Sequence, residues 1–193
     1  MDRARLYAQK LWWYERNHHP LRRLRIHRHM LRAGAYIRFP VEGDVLEALD
    51  DGRLTIGAGT MLEPGCWLTI APKGRLLIGE GSFLNRGTMV AVLDRVEIGD
   101  HTMFANHCFI GDANHRYDDS SVPITWQGFE SKGPTIVGSN CWFGVNCVVT
   151  SGVTIGDRCV IGSNSVVTSN LPDGVIAAGS PAKVIREIEF KTS

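Results

Sequence analysis

A six-residue repeat runs through most of this chain. Each repeat opens on a large apolar residue, and fifteen repeats stay in register over about 115 residues. A unit this short can bury its apolar residue only against its neighbours, so stability has to come from stacking one unit on the next. The repeat therefore predicts a solenoid. The opening residues are Ile56, Leu62, Leu68, Ile78, Leu84, Val90, Ile98, Phe104, Ile110, Val137, Phe143, Val149, Ile155, Ile161 and Val167.

The other positions of the repeat indicate a triangular cross-section. Gly is frequent at the second position and Asn or Gly at the fourth, and these residues tolerate the positive φ of a sharp corner. Three repeats close one coil of 18 residues, which is the spacing between Val137 and Ile155. Neighbouring coils should stack about 4.8 Å apart. Longer spacings elsewhere indicate corner loops, of which the largest covers residues 116–136.

The fold class that follows is all-β. We expect a parallel β-helix of about five triangular coils, with a helical segment before it and an extension after it. Residues 1–52 are assigned to a basic N-terminal helical cap, residues 53–172 to the β-helix, and residues 173–193 to the C-terminal extension. A chain of 193 residues has room for one such domain with its appendages.

The five cysteines share one position, the fifth of the repeat. An odd number of cysteines at one repeated position does not suit a disulfide framework. A buried thiol behaves as a small apolar side chain. We therefore expect five free thiols beside the core, none of them a nucleophile or a metal ligand. They are Cys66, Cys108, Cys141, Cys147 and Cys159.

Charge is distributed unevenly along the chain. The first 40 residues carry ten Arg and Lys against two acids (+8), and the remainder carries 11 basic and 18 acidic residues (−7), which sum to +1. Residues 6–14 and 21–31 read as helices separated by Pro20. Such a segment can cap the open end of a solenoid. Its basic, Trp-bearing surface also suits peripheral contact with anionic lipid or an acidic acceptor.

Other partners and compartments are less compatible with the sequence. The basic segment contains no recognisable nucleic-acid-binding module, so nucleic acid is not expected as a partner. No apolar run approaches the roughly 18 residues of a membrane span. The N-terminus has charge and Trp where a signal peptide would be apolar. We expect a cytoplasmic protein.

Within residues 136–188, several runs resemble the hexapeptide-repeat acyltransferases. Among these the chain most resembles the galactoside and maltose O-acetyltransferases and their polysaccharide-modifying relatives. The resemblance covers roughly residues 54–188 and implies a left-handed β-helix, a homotrimer with active sites between neighbouring prisms, and acetyl-CoA as donor, with no metal. The runs that carry the resemblance are 141–144, 152–157, 160–167 and 178–186.

The motif Gly-Asp-Ala-Asn-His at 111–115 stands just before the largest loop. From spacing alone, His115 could be an ordinary solvated turn residue. In the resembling enzymes the histidine before such a loop is the general base, and imidazole suits that role because its free pKa lies near neutral pH. His101 and His107 fall on successive corners that point in different directions, so a zinc site built from them is not expected.

The resemblance also assigns residues to the acceptor and the donor. Asn85 could hold the acceptor, or it could simply serve its corner turn. The residue after Thr168 is Ser169, where many relatives have Lys, so one phosphate contact is in doubt. The expected acceptor residues are Asn85, Asp94, Tyr117 and Trp126. The expected donor-binding residues are Trp142, Gly144, Ser163, Thr168, Lys183 and Arg186.

The leading function is therefore acetyl-CoA-dependent O-acetylation of a sugar or glycan hydroxyl, with His115 as general base in an intersubunit groove. Residues 113–121 also resemble the loop of xenobiotic acetyltransferases that inactivate streptogramin-type antibiotics. N-acetylation of an amino sugar is a further alternative. From a different class, the chain could be an inactive β-helix that serves as a scaffold or binding protein.

Overall fold

The computed structural model describes residues 19–191. Within that range, three parallel sheets form the faces of a triangular prism, here called sheets A, B and C. Sheet A contains β1 (Tyr36–Ile37), β4 (Met61–Leu62), β7 (Phe83–Leu84), β10 (Met103–Phe104), β15 (Trp142–Phe143), β18 (Val160–Ile161), β20 (Val175–Gly179) and β21 (Ala182–Glu187). Sheet B contains β2 (Glu42–Gly43), β5 (Trp67–Ile70), β8 (Met89–Val92), β11 (Phe109–Gly111), β16 (Val148–Val149) and β19 (Val166–Val167). Sheet C contains β3 (Leu54–Ile56), β6 (Arg75–Ile78), β9 (Arg95–Ile98), β14 (Thr135–Val137) and β17 (Thr154–Ile155).

The remaining elements lie outside the prism faces. A two-stranded hairpin pairs β12 (Asn114–His115) with β13 (Phe129–Glu130) in the long loop, which also holds a 3-10 helix at Ile124–Trp126. From residue 19 onward, two α-helices precede the regular coils, α1 (Pro20–Ala33) and α2 (Val45–Asp50). At the other end, β20 and β21 pair antiparallel and finish sheet A.

The opening residue of each repeat points into the prism. Successive side chains of a strand alternate between its two faces, so one residue in each short strand is buried. Leu62, Leu84 and Phe104 follow one another along sheet A and are completely buried. The rings of Phe104 and Phe143 stack with centroids 4.4 Å apart. This continuous apolar column confirms the predicted β-helix.

The fifth-position side chains connect successive coils. Thr60 Oγ1 donates to the carbonyl of Gly79 at 2.6 Å, and Ser82 and Thr102 make the equivalent bonds. Cysteine thiols do the same, since Cys141 Sγ donates to the Gly156 carbonyl at 3.2 Å. All five cysteines are buried and free, as predicted. Their position also makes them weak hydrogen-bond donors between coils.

The small residues at the second and fourth positions of the repeat are required for two different reasons. The fourth-position residues Asn140, Asn146 and Asn164 have φ of 57–59°, as expected. The second-position glycines do not have positive φ, so that part of the corner prediction was wrong. A Cβ on Gly99 would instead lie 2.6 Å from the backbone nitrogen of Ser139 in the next coil. The second-position glycines are needed because the backbones of successive coils approach closely there.

The solenoid starts earlier than predicted and makes about six turns rather than five. Strands β1 and β2 lie inside the segment assigned to a helical cap, yet they pair with β4 and β5. Helix α2 takes the place of the third strand in this first turn. Ile37 and Gly43 are six residues apart and pair with the opening residues Leu62 and Leu68. The repeat was not recognised here because glycine is not a large apolar residue. A Cβ on Gly43 would collide with the Leu68 carbonyl oxygen.

Helix α1 covers the first turn of the solenoid. Pro20 opens it, and Gly34 ends it in the left-handed conformation with φ of 68°. Ile26 and Met30 are buried, and Arg22 bonds to both carboxylate oxygens of Glu47 in α2. The predicted helix at 21–31 lies within α1, whereas the one at 6–14 lies outside the described residues. Among the described helices, none is long and apolar enough to cross a membrane.

Candidate active site

Three insertions emerge at one corner of the prism, where the chain passes from sheet B to sheet C. We call it the B–C corner. Residues 71–74 follow β5, residues 93–94 follow β8, and the long loop with its β12–β13 hairpin follows β11. With α2, these segments enclose a cavity of about 670 Å³. That volume suits a small-molecule ligand.

The cavity is bounded mainly by apolar side chains. Thr69 and Ala91 are neighbours across β5 and β8, and Gly111 is the next residue along this row. Thr69 and Ala91 form a shallow floor of the cavity, Gly111 is buried, and Phe109 and Phe129 lie beside that floor. The lining residues are Asp44, Glu47, Asp51, Arg53, Thr69, Ile70, Ala71, Pro72, Met89, Ala91, Val92, Leu93, Phe109, Ala113, His115 and Phe129.

His115 lies at the cavity wall, on β12. Its backbone pairs with that of Phe129 on β13, and the two rings lie 4.4 Å apart at an interplanar angle of 42°. The imidazole is exposed to solvent on its other side. Within residues 19–191 neither ring nitrogen of His115 has a hydrogen-bond partner.

Asp112 anchors the strand that carries His115. Its side chain is fully buried, and its carboxylate accepts hydrogen bonds from the backbone N–H groups of Leu93, Asp94 and Arg95 at 2.6–2.8 Å. Ser151 Oγ donates to the Asp112 carbonyl at 2.7 Å. The sequence analysis gave Asp112 no role, although its place within the motif at 111–115 was a usable signal. Asp112 fixes the start of the His115 loop against two neighbouring coils.

The four expected acceptor residues do not line this cavity. Asn85 follows β7, and its Oδ1 accepts a hydrogen bond from the Arg86 N–H at 2.8 Å. Asp94 is exposed in the turn after β8, beside the cavity residue Leu93. Tyr117 and Trp126 are 73% and 78% exposed. The loop residue that does reach the cavity is Phe129.

The expected donor residues gather elsewhere, mainly along the corner where sheet A passes to sheet B. We call it the A–B corner. Trp142 is half-exposed on β15, and a Cβ on Gly144 would lie 2.6 Å from the Ser163 backbone nitrogen, so these coils touch closely. Lys183 and Arg186 are exposed on β21, and Thr168 is exposed just after β19. Strand pairing aligns Trp142, Val160, Ile176 and Arg186 across sheet A.

Asn85 belongs to the same corner as these donor residues. Its N–H bonds to the Phe104 carbonyl, the Ala105 N–H to the Phe143 carbonyl, and the Gly144 N–H to the Ile161 carbonyl. Asn85, Ala105 and Gly144 are therefore stacked in one column. In a single chain, sheet B separates this column from His115.

No site for a metal ion was found among the described residues, where no three His, Cys, Asp or Glu side chains come together. His101 and His107 both adopt positive φ, 54° and 59°, at successive corners. Each ring lies over a glycine of the preceding coil, Gly81 and Gly87.

A parallel β-helix of six-residue repeats is the fold of the hexapeptide-repeat transferases. Residues 134–169 match the family model described as the hexapeptide repeat of succinyl-transferase. A maltose O-acetyltransferase structure from Clostridium difficile is 31% identical, with 76% of each chain covered and a TM-score of 0.62. The chain belongs to the hexapeptide-repeat acetyltransferase family.

Two further relatives agree with this membership. A galactoside acetyltransferase structure in complex with coenzyme A is 29% identical over 88% of this chain and 82% of that one, with a TM-score of 0.65. A probable acetyltransferase of Mycobacterium tuberculosis is 40% identical over 100 residues, which is 51% of this chain and 33% of the relative. The chain thus spans about a third of the length of the first curated relatives it matches.

Proposed function

We propose that this protein transfers an acetyl group from acetyl-CoA to a hydroxyl of a sugar-containing acceptor, with His115 as general base. His115 would take the proton of the acceptor oxygen as that oxygen bonds to the acetyl carbon. The carbon–sulfur bond then breaks, and the imidazolium returns the proton to the departing thiolate. A base in this position contributes about 10²–10⁴ in rate. The observation that carries the proposal is His115 at the wall of a ligand-sized cavity.

The donor would bind along the A–B corner. Trp142, Gly144 and Ser163 would hold the pantetheine arm, because the half-exposed indole and the exposed Ser163 flank the buried Gly144 and offer a surface on which an extended chain can lie. Lys183 and Arg186 would contact phosphates through charge-assisted hydrogen bonds, and Thr168 would lie near the adenine. Acetyl-CoA supplies the activated acetyl group.

The active site would form between copies of the chain in a homotrimer. His115 lies at the B–C corner, whereas Asn85, Gly144 and Ser163 lie at the A–B corner. A neighbouring copy that brings its A–B corner to His115 would unite the two groups. The same arrangement would let the neighbour supply the partner that the imidazole lacks among residues 19–191.

The test is release of free coenzyme A thiol from acetyl-CoA in the presence of sugar acceptors. We expect His115→Ala to lower kcat by about 10²–10⁴ because the acceptor proton loses its base. His101→Asn is the matched control, since it replaces an exposed histidine at a different corner and should retain activity. Amino-sugar acceptors in the same panel distinguish O- from N-transfer. Full activity of His115→Ala would remove the assignment.

A further inference from the structure

We propose that the acceptor is amphipathic and that an alkyl or aryl group of it occupies the B–C corner cavity while its reacting hydroxyl lies at His115. This inference rests on the proposed function, and it narrows the substrate class from any sugar to one with an apolar substituent. It follows from the chemistry of the cavity lining.

The first argument is the apolar surface. Ten of the sixteen described residues around the cavity have apolar side chains, so most of a ligand inside would contact carbon rather than polar atoms. Met89 and Phe109 face outward from neighbouring strands. Ala91 has only a methyl side chain and leaves space between them and the hairpin. Each methylene group buried on such a surface improves binding by about fourfold.

The second argument is that the charged side chains around the cavity already have partners. Both oxygens of Glu47 accept from Arg22, at 2.6 and 2.7 Å. Asp51 accepts from Arg53, whose Nη1 also donates to two backbone carbonyls of β5 and its turn. Asp44 accepts from the Ile70 N–H. The free hydroxyls of a sugar ring inside the cavity would have to compete for these charged groups. Otherwise they would lose their hydrogen bonds to water without replacement, which costs binding free energy.

The third argument is the position of His115 relative to the apolar wall. The imidazole packs on the Phe129 ring, and its other side is open to solvent. A hydroxyl at His115 is therefore at the boundary between water and the apolar cavity. An acceptor that satisfies both sides has a polar end at the histidine and an apolar end over Ala91.

The experiment compares methyl, butyl and octyl β-D-glucopyranosides as acceptors of the full-length protein, all below their critical micelle concentrations. We expect kcat/KM to rise at least tenfold from the methyl to the octyl compound. Ala91→Phe, which fills the floor, should reduce that ratio to below threefold. Leu77→Ala is the matched control, because Leu77 is an exposed apolar residue on sheet C and should leave the ratio as it is.

Direct binding separates this inference from the proposed function. Octyl glucoside should bind His115→Ala more tightly than methyl glucoside does, and Ala91→Phe should weaken that binding with an unchanged melting temperature. Such binding together with no acetyl transfer by the wild-type protein would support the cavity assignment and count against the proposed function. Transfer with equal kcat/KM for all three glucosides would leave the proposed function standing and overturn the inference.

Discussion

Side chains at the fifth position of the repeat hold neighbouring coils together by two means, packing and hydrogen bonding. Hydroxyls and thiols occupy equivalent places, as Thr102 and Cys108 show by donating to the Gly138 and Gly144 carbonyls at 2.7 and 3.2 Å. The bond from sulfur is weaker, but the thiol buries more apolar volume. Hydroxyl and thiol residues can therefore alternate along the column without disturbing the repeat.

Burial should make the thiols inert while the protein is folded. Burial raises the pKa of Cys66 to about 12, so almost none of it is thiolate at pH 8. A hydrogen bond with a neighbouring thiol instead lowers the pKa of Cys147 and of Cys159. These two are protected by inaccessibility, because all five cysteines are at most 2% exposed. We expect a thiol reagent at pH 8 to titrate none of them in the native protein and all five in denaturant. Rapid reaction of any cysteine in the folded protein would contradict this packing.

Asp112 provides a second prediction for a single residue. Asp112→Asn replaces one carboxylate oxygen by an NH₂ group, which faces N–H donors that it cannot satisfy. We expect the free energy of unfolding to fall by about 1–3 kcal/mol, measured by urea denaturation. Asp100→Asn is the control, because this exposed carboxylate accepts the Glu80 N–H at 2.8 Å on the surface and should cost less. Equal losses would argue against the anchoring role of Asp112.

Among the elements, the strands were more predictable than the segments between them. The apolar residue every six positions predicted each coil from Leu54 onward, because burial of that residue decides where the strand lies. The first turn was missed because Gly43 takes the place of the apolar opening residue in β2, and helix α2 takes the place of the third strand. The hairpin in the long loop was not foreseen either. The register of the hairpin places Phe129 beside His115, and not Tyr117 or Trp126, which were the loop residues expected at the acceptor. The length of a loop alone does not determine which residues pair.

The insertions contain a signal that sequence reasoning could have used. All three follow the third repeat of their coil, after Leu68, Val90 and Ile110, and therefore emerge at the same corner. The cavity could have been placed there from spacing alone. Which side chains face it depends on the turn conformations and on Asp112, which the spacing does not determine.

Helix α1 has an unusual exposed face for an end cap. Leu21, Leu24 and Leu31 are 64–65% exposed, and the exposed Arg28 and Arg32 belong to the same helix, which contains no acidic residue. We expect the protein to sediment with vesicles that contain anionic phosphatidylglycerol and not with pure phosphatidylcholine, because basic and apolar groups act together at such surfaces.

Leu21→Ser combined with Leu24→Ser should weaken this vesicle binding at least tenfold. The matched control is Val184→Ser with Ile185→Ser, which removes two exposed apolar residues at the opposite end of the solenoid. Failure to sediment with the phosphatidylglycerol vesicles would exclude the lipid contact and leave α1 as a cap alone.

At the scale of the whole molecule, His115 and Asn85 lie at different corners of one chain, and this separation makes the proposed trimer testable. A homotrimer would have three times the 21.3 kDa mass of the chain, which light scattering measures directly. In a cyclic assembly each interface joins one face of a chain to a different face of its neighbour. His115 of one chain and Asn85 of the next would then serve the same site, although neither chain alone brings them together.

The most direct measurement is complementation between two variants. His115→Ala and Asn85→Ala should each have little activity and still form trimers. Refolded together in equal amounts, they should regain about a quarter of the wild-type rate, because one interface in four then carries both native residues by chance. No recovery from a mixture shown to contain mixed trimers would contradict an active site shared between neighbouring chains.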